Sequence, residues 1–105
     1  LNGVHTSESA ELLEDILRRE WGFEGLVMTD WVVDGMARTD LRHPRATAAA
    51  TVRAGNELFM PGCEADRQDI LAALAGENAR TGLTRSELEK QAARVVRMAR
   101  ALAGR

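Results

Sequence analysis

Three features of this 105-residue chain predict an α/β fold in which helix predominates. A short apolar run, Gly25-Leu-Val-Met-Thr-Asp30, does not alternate apolar with polar positions, which is how a strand covered on both faces reads. An amphipathic helical pattern precedes it. A second helical pattern and a second short run, Glu57 to Met60, follow it. Helix and strand in alternation point to strands paired in parallel through helical crossovers.

Taken in order, Ser9 to Glu20 carries Leu12, Leu13, Ile16 and Leu17 on one helical face, with Glu11, Glu14, Asp15, Arg18 and Arg19 on the other. Acid early and base late complement the helix dipole, and Gly22 suits the stop. The apolar run to Asp30 is the first strand. Residues Trp31 to Arg45, with Gly35, Asp40 and Pro44, read as a long loop, and loops of that length in compact domains tend to be functional or disordered. Ala46 to Ala54 predicts a short helix with Ala49 and Val52 inward, ended by Gly55. Glu57 to Met60 is the second strand, closed by Pro61-Gly62.

Asp66 to Ala75 predicts a helix with Ile70, Leu71 and Leu74 inward, and Gly76 to Gly82 a connector. Thr84-Arg-Ser-Glu87 is a capping box, in which hydroxyl and carboxylate satisfy each other's backbone N–H groups. The helix it opens runs to about Ala103, with Leu88, Ala92, Val95, Val96, Ala99 and Leu102 as an apolar stripe. Two strands do not make a stable open sheet. The pattern therefore calls for more chain, or more copies, to cover its edges.

Composition narrows the function. With 45% hydrophobic residues the chain is globular, and a net charge of −2 leaves no footprint for nucleic acid. The basic residues from Arg94 to Arg105 lie on a helical pattern and read as a solvated face, with membrane-surface binding as the second alternative. No stretch is apolar enough to span a membrane, and no leader pattern is visible, which tilts the expected location slightly toward the cytoplasm. One cysteine, Cys63, cannot form an intrachain disulfide and has no activating partner in the sequence. His5 and His43 lack companions at metal-ligand spacing, so no metal or cofactor is expected. Ser7 and Ser9 are outside any nucleophile-elbow pattern, and no phosphate-binding glycine loop occurs.

Asp30 is the residue best placed for chemistry. It ends a buried strand and opens a long loop, the position where α/β folds collect functional groups. The same position suits an Asp that only caps the turn. Trp31, next to it, could offer its face to a sugar ring or pack on a neighbouring helix. Asp34, Glu57 and Glu64 are the other carboxylates near strand ends. Glu57 begins its strand instead of ending it, which favours a structural role.

Three segments together resemble glycoside hydrolase family 3. Leu1-Asn-Gly-Val-His-Thr is similar to the family's Asn-Gly segment after a barrel strand. Leu17-Arg-Arg-Glu-Trp-Gly-Phe-Glu-Gly-Leu-Val-Met-Thr-Asp-Trp31 resembles the helix-to-strand stretch that ends in Ser/Thr-Asp-Trp. Ala54-Gly-Asn-Glu-Leu-Phe-Met-Pro-Gly62 is like the segment at the next strand, with Glu57 where the family usually has Asp. The segments keep the family's order and spacing, and the likeness covers nearly the whole chain.

The resemblance implies a fragment of a (β/α)8 barrel: about two βα units with short parallel strands, plus flanking helices. Residues 1–105 would be a single partial domain, the C-terminal portion of the barrel including the nucleophile strand. It implies retaining hydrolysis of β-glycosidic bonds in a β-glucosidase-like parent, with Asp30 as nucleophile and Trp31 against the substrate, a β-linked glucoside or oligosaccharide. The Thr-Asp-Trp form points to the β-glucosidase or β-xylosidase branch. The family's Lys-His pair and its acid/base have no counterpart here; Asp34 is the nearest carboxylate and a poor candidate. The isolated chain is therefore expected to be inactive and to self-associate, or to need the missing remainder of the barrel. The alternative is a non-catalytic helical self-association module derived from a glycosidase.

Overall fold

The structure, a computed structural model, describes residues 4–29 and 46–104. It is predominantly helical. A 3-10 turn, Thr6–Glu8, leads into a π-helix, Glu11–Glu20. Three α-helices follow: α1, Ala48–Ala54; α2, Glu64–Leu74; and α3, Arg85–Ala103.

The first helix begins two residues later than its periodicity suggested and is wound more widely. Ser9 Oγ accepts from the Leu12 N–H at 3.3 Å, and the Trp21 N–H reaches back five residues to the Ile16 carbonyl at 3.0 Å. Gly22, at φ 70°, ends it as expected. An i→i+5 winding brings residues five apart nearer to one face than an α-helix does. One expectation is corrected here: Glu14 and Arg18, assigned to the solvent face, turn inward, because buried partners of opposite charge await them.

Helix α1 lies at the centre. Thr47 Oγ1 caps it by accepting from the Ala50 N–H at 3.4 Å. Two carboxylates add to the cap: Glu8 Oε1 accepts from the Thr47 N–H at 2.6 Å, and Asp69 Oδ2 from the Ala49 N–H at 2.8 Å. Ala48, Ala49, Thr51, Val52 and Ala54 are buried, and these small side chains let neighbouring elements approach closely. The helix packs on α2, α3, the 3-10 turn and the π-helix.

The two expected strands are corrected to a single pair. Among the described residues, one parallel bridge joins Met28 to Leu58, and no longer strand forms. The Thr29 N–H donates to the Leu58 carbonyl at 2.9 Å, and the Glu57 and Leu58 N–H groups reach the Val27 carbonyl at 3.0 and 3.3 Å. The direction of pairing is the expected one. Its shortness reflects edges with no further partner among the described residues.

Helix α2 starts at Glu64, where the Cys63 N–H donates to Asp66 Oδ2 at 3.3 Å. Its inward face holds the buried Ala73 and, as expected, Ile70 and Leu74, which pack half-buried against the core; Leu71 is corrected to an exposed position. The connector is built on Asn78, whose side chain donates to Asp69 Oδ1 at 2.8 Å and accepts from the Arg80 and Thr81 N–H groups at 2.9 and 3.0 Å. The capping box at α3 forms: Thr84 Oγ1 accepts from the Glu87 N–H at 3.1 Å, and Glu87 Oε1 from the Thr84 N–H at 2.9 Å.

The apolar stripe of α3 is only partly inward: Leu88 packs against the core and Val95 is half-buried. Val96 and Leu102 are exposed, and Gln91 is the buried residue of the helix. Its Nε2 donates to the Val52 carbonyl of α1 at 3.2 Å. The hydrophobic core is small: Ala49, Val52, Ala73 and Leu83, with Phe59, Ile70, Leu74 and Leu88 packed against it. Trp21, Met28, Met60 and Leu102 remain at the surface. Among the described residues no helix is long and apolar enough to cross a membrane.

Candidate functional site

Among the described residues a largely buried ion-pair network joins the π-helix, α3 and the two bridged segments. Glu57 is its hub, with a side chain wholly removed from solvent. Its Oε1 accepts from Arg18 Nη2 at 2.7 Å and Arg94 Nη1 at 3.0 Å. Its Oε2 accepts from the Val27 N–H at 2.7 Å. Arg94 also holds Glu14 at both carboxylate oxygens, at 2.8 and 3.0 Å, and Lys90 Nζ stands 3.2 Å from Glu14 Oε2.

A buried charge is costly unless paired and hydrogen-bonded. Here two carboxylates meet two guanidiniums, and the second oxygen of Glu57 is taken by a backbone donor. The hydrogen bond and charge of Arg94 lower the Glu14 carboxyl from its ordinary 4.5 to about 2, against the opposing effect of burial. The same pairing raises Arg94.

Two glycines make room for this network. Gly55, at φ 121°, ends α1 where a Cβ would lie 2.7 Å from Glu14 Oε1. At Gly25 a Cβ would lie 2.7 Å from the Phe23 ring, which in turn faces the Arg18 guanidinium at 5.6 Å from its centroid. Arg18 Nη1 donates to the Gly25 carbonyl at 3.0 Å.

The network therefore grips the segment that ends in Thr29. Arg18 holds its start and Glu57 its middle. Thr29 is buried, its N–H pairs with Leu58, and its hydroxyl accepts from the Met60 N–H at 2.9 Å.

Asp30 and Trp31 lie outside the described residues, as do Asp34 and His43. Glu64 is exposed at the start of α2, paired with Arg67 at 2.9 Å, and Cys63 is exposed. Among the described residues no group of three or more His, Cys, Asp and Glu side chains could hold a metal ion. An open groove of about 280 Å³ between α2 and α3 is lined by Phe59, Ile70, Leu71, Leu74 and Leu88, with Asp66 and Arg67 at its edge. Among the described residues that line it, Asp66 is the one carboxylate.

Sequence reading singled out Glu57 but missed its partners. Arg18 and Glu14 had a signal, a pair of opposite charges four residues apart on a helix. Arg94 had none, since it sits in a basic stretch that reads as solvated.

Comparison with known proteins sets this frame among the glycosyl hydrolases. Residues 1–98 match the family model described as the glycosyl hydrolase family 3 N terminal domain, and the chain belongs to that family. It is 40% identical over 94 residues to a β-glucosidase of Rhizobium radiobacter, covering 90% of this chain and 10% of that protein. It is 38% identical over 92 residues to an exo-α-(1→6)-L-arabinopyranosidase of Bifidobacterium breve, covering 88% of this chain and 10% of that protein. Among solved structures, a family 3 β-glucosidase of Bifidobacterium adolescentis superposes with a TM-score of 0.58 at 37% identity, over 87% of this chain and 11% of that one. The chain thus spans about a tenth of the length of these relatives.

Proposed function

We propose that these residues are the nucleophile-bearing, C-terminal part of the barrel in a retaining β-glycosidase, with Asp30 as the nucleophile. The observation that carries this reading is the parallel pairing of residues 27–29 with 57–60, the relation expected of neighbouring barrel strands. Asp30 follows Thr29 directly, where a barrel presents its catalytic groups. In this reading the bridge lengthens into two strands once neighbouring strands cover both edges.

The reaction is a double displacement. The Asp30 carboxylate attacks the anomeric carbon while a carboxylic acid from outside this chain protonates the departing glycosidic oxygen. Water then cleaves the glycosyl ester with that group acting as base. Retention sets the two carboxyls about 5–5.5 Å apart. Trp31 forms a wall of the sugar site, and the substrate is a β-linked glucoside, in keeping with the β-glucosidase relatives. The 105 residues alone are inactive.

The test has two arms. The isolated chain should leave aryl β-glucosides intact; robust turnover would overturn the fragment reading. A Rhizobium radiobacter β-glucosidase with its matching segment exchanged for this chain should hydrolyse them. Asp30→Ala should then remove activity, and added azide should restore consumption of activated glucosides as glycosyl azide.

A second reading, a non-catalytic self-association module, is favoured by the exposed Met28, Leu58, Met60, Val96 and Leu102. It expects oligomers by light scattering and no activity in the exchanged enzyme.

A further inference from the structure

We infer that Glu57 is a positioning residue: its buried carboxylate clamps the backbone of residues 25–29 and so sets where the chain emerges after Thr29. The two oxygens have separate tasks. Oε1 lies between the guanidiniums of Arg18 and Arg94, and this holds the carboxylate in place. Among the described residues Oε2 has one donor, the Val27 N–H at 2.7 Å. Arg18 adds a second grip on the same segment at the Gly25 carbonyl.

Residue 57 also supplies a backbone N–H to the Val27 carbonyl, so both polar groups of the Val27 backbone are held by Glu57. The segment is thereby tied at Gly25, Val27 and Thr29, at the first two by charge-assisted bonds. Such a bond is worth more where the dielectric is low, and a wrongly placed carboxylate would leave two buried arginines short of a partner. The consequence for catalysis rests on the reading of Asp30 as nucleophile; the clamp itself does not.

Amide hydrogen exchange in the 105-residue chain tests the clamp. In Glu57→Gln, the Val27 and Thr29 amides should exchange about tenfold faster or more, while Thr51 in α1 and Leu88 in α3 change little, as local opening requires. Equal acceleration at all four would reduce Glu57 to general stability and overturn the inference. If the Gln variant does not fold, Arg18→Lys keeps the charge but gives up the fork between Gly25 and Glu57. It should show the same local pattern, and a uniform response would again overturn it.

The catalytic consequence is read in the segment-exchanged β-glucosidase. Glu57→Gln should lower kcat by about 10- to 100-fold with KM within about threefold, the signature of a misplaced reacting group instead of lost substrate binding. An unchanged kcat, in an enzyme that Asp30→Ala inactivates and azide rescues, overturns the positioning role and leaves the nucleophile reading standing. Activity that survives Asp30→Ala removes the nucleophile reading, and the exchange pattern alone then decides the clamp.

Discussion

Glu14 and Arg94 meet across 80 residues of chain through two hydrogen bonds of 2.8 and 3.0 Å, carboxylate to guanidinium. This pair ties the π-helix to α3, and its stabilisation depends on pH. Glu14 is lowered to about 2 in the folded chain, so folding favours its ionised form. Its contribution is complete above the ordinary carboxyl range near 4.5 and is lost as the pH falls toward 2. Urea midpoints should therefore drop between pH 5 and pH 2.5, and Glu14→Gln should flatten that part of the profile.

Removing the hub of the network should cost more than removing an exposed ion pair. Glu57→Ala leaves Arg18 and the Val27 N–H without their carboxylate, and should destabilise the chain by roughly 3–5 kcal/mol. Glu89→Ala, which breaks a solvent-screened exposed pair with Arg85, should leave stability nearly unchanged. Denaturant unfolding of the two variants side by side reads the difference.

Gly55 is held at φ 121° against the Glu14 carboxylate. Gly55→Ala should cost roughly 1–3 kcal/mol from backbone strain alone. It should also move the Glu14 carboxyl away from Arg94 and raise its pKa toward the ordinary range, which side-chain carboxyl titration by NMR would detect. Gly82, where an added Cβ meets nothing within 4 Å, is the control and should accept Ala with a smaller loss.

The capping box at α3 makes a local prediction. Thr84→Ala removes the acceptor for the Glu87 N–H and should cost about 1 kcal/mol. Thr84→Ser keeps the oxygen and should retain most of that stability.

The local signals were legible because they depend on neighbours in sequence. The capping box at Thr84, the stops at Gly22 and Gly55 and the inward Ala49 and Val52 each follow from residues within a turn or two. The three family segments were legible for a different reason: residue types in order and spacing survive without any knowledge of contacts.

The apolar stripe of α3 is a partial guide because periodicity marks which side chains share a face, not how much of that face finds a partner: Leu88 meets the core while Val96 and Leu102 do not. α1 presents the Val52 carbonyl and Glu57 presents a charge, so Gln91 and Arg94 turn inward and Val96 and Leu102 are left outside. Likewise, the run from Gly25 reads as a strand on its own, yet its length as a strand depends on neighbours at both edges.

By itself, then, the sequence determined the helix boundaries to within a turn, the parallel order of the two short segments and the family. Only the tertiary structure decided that Glu14, Arg18, Glu57 and Arg94 form one buried network. Their pairing spans up to 80 residues and is driven by the cost of burying any one charge alone, a term that no local pattern contains.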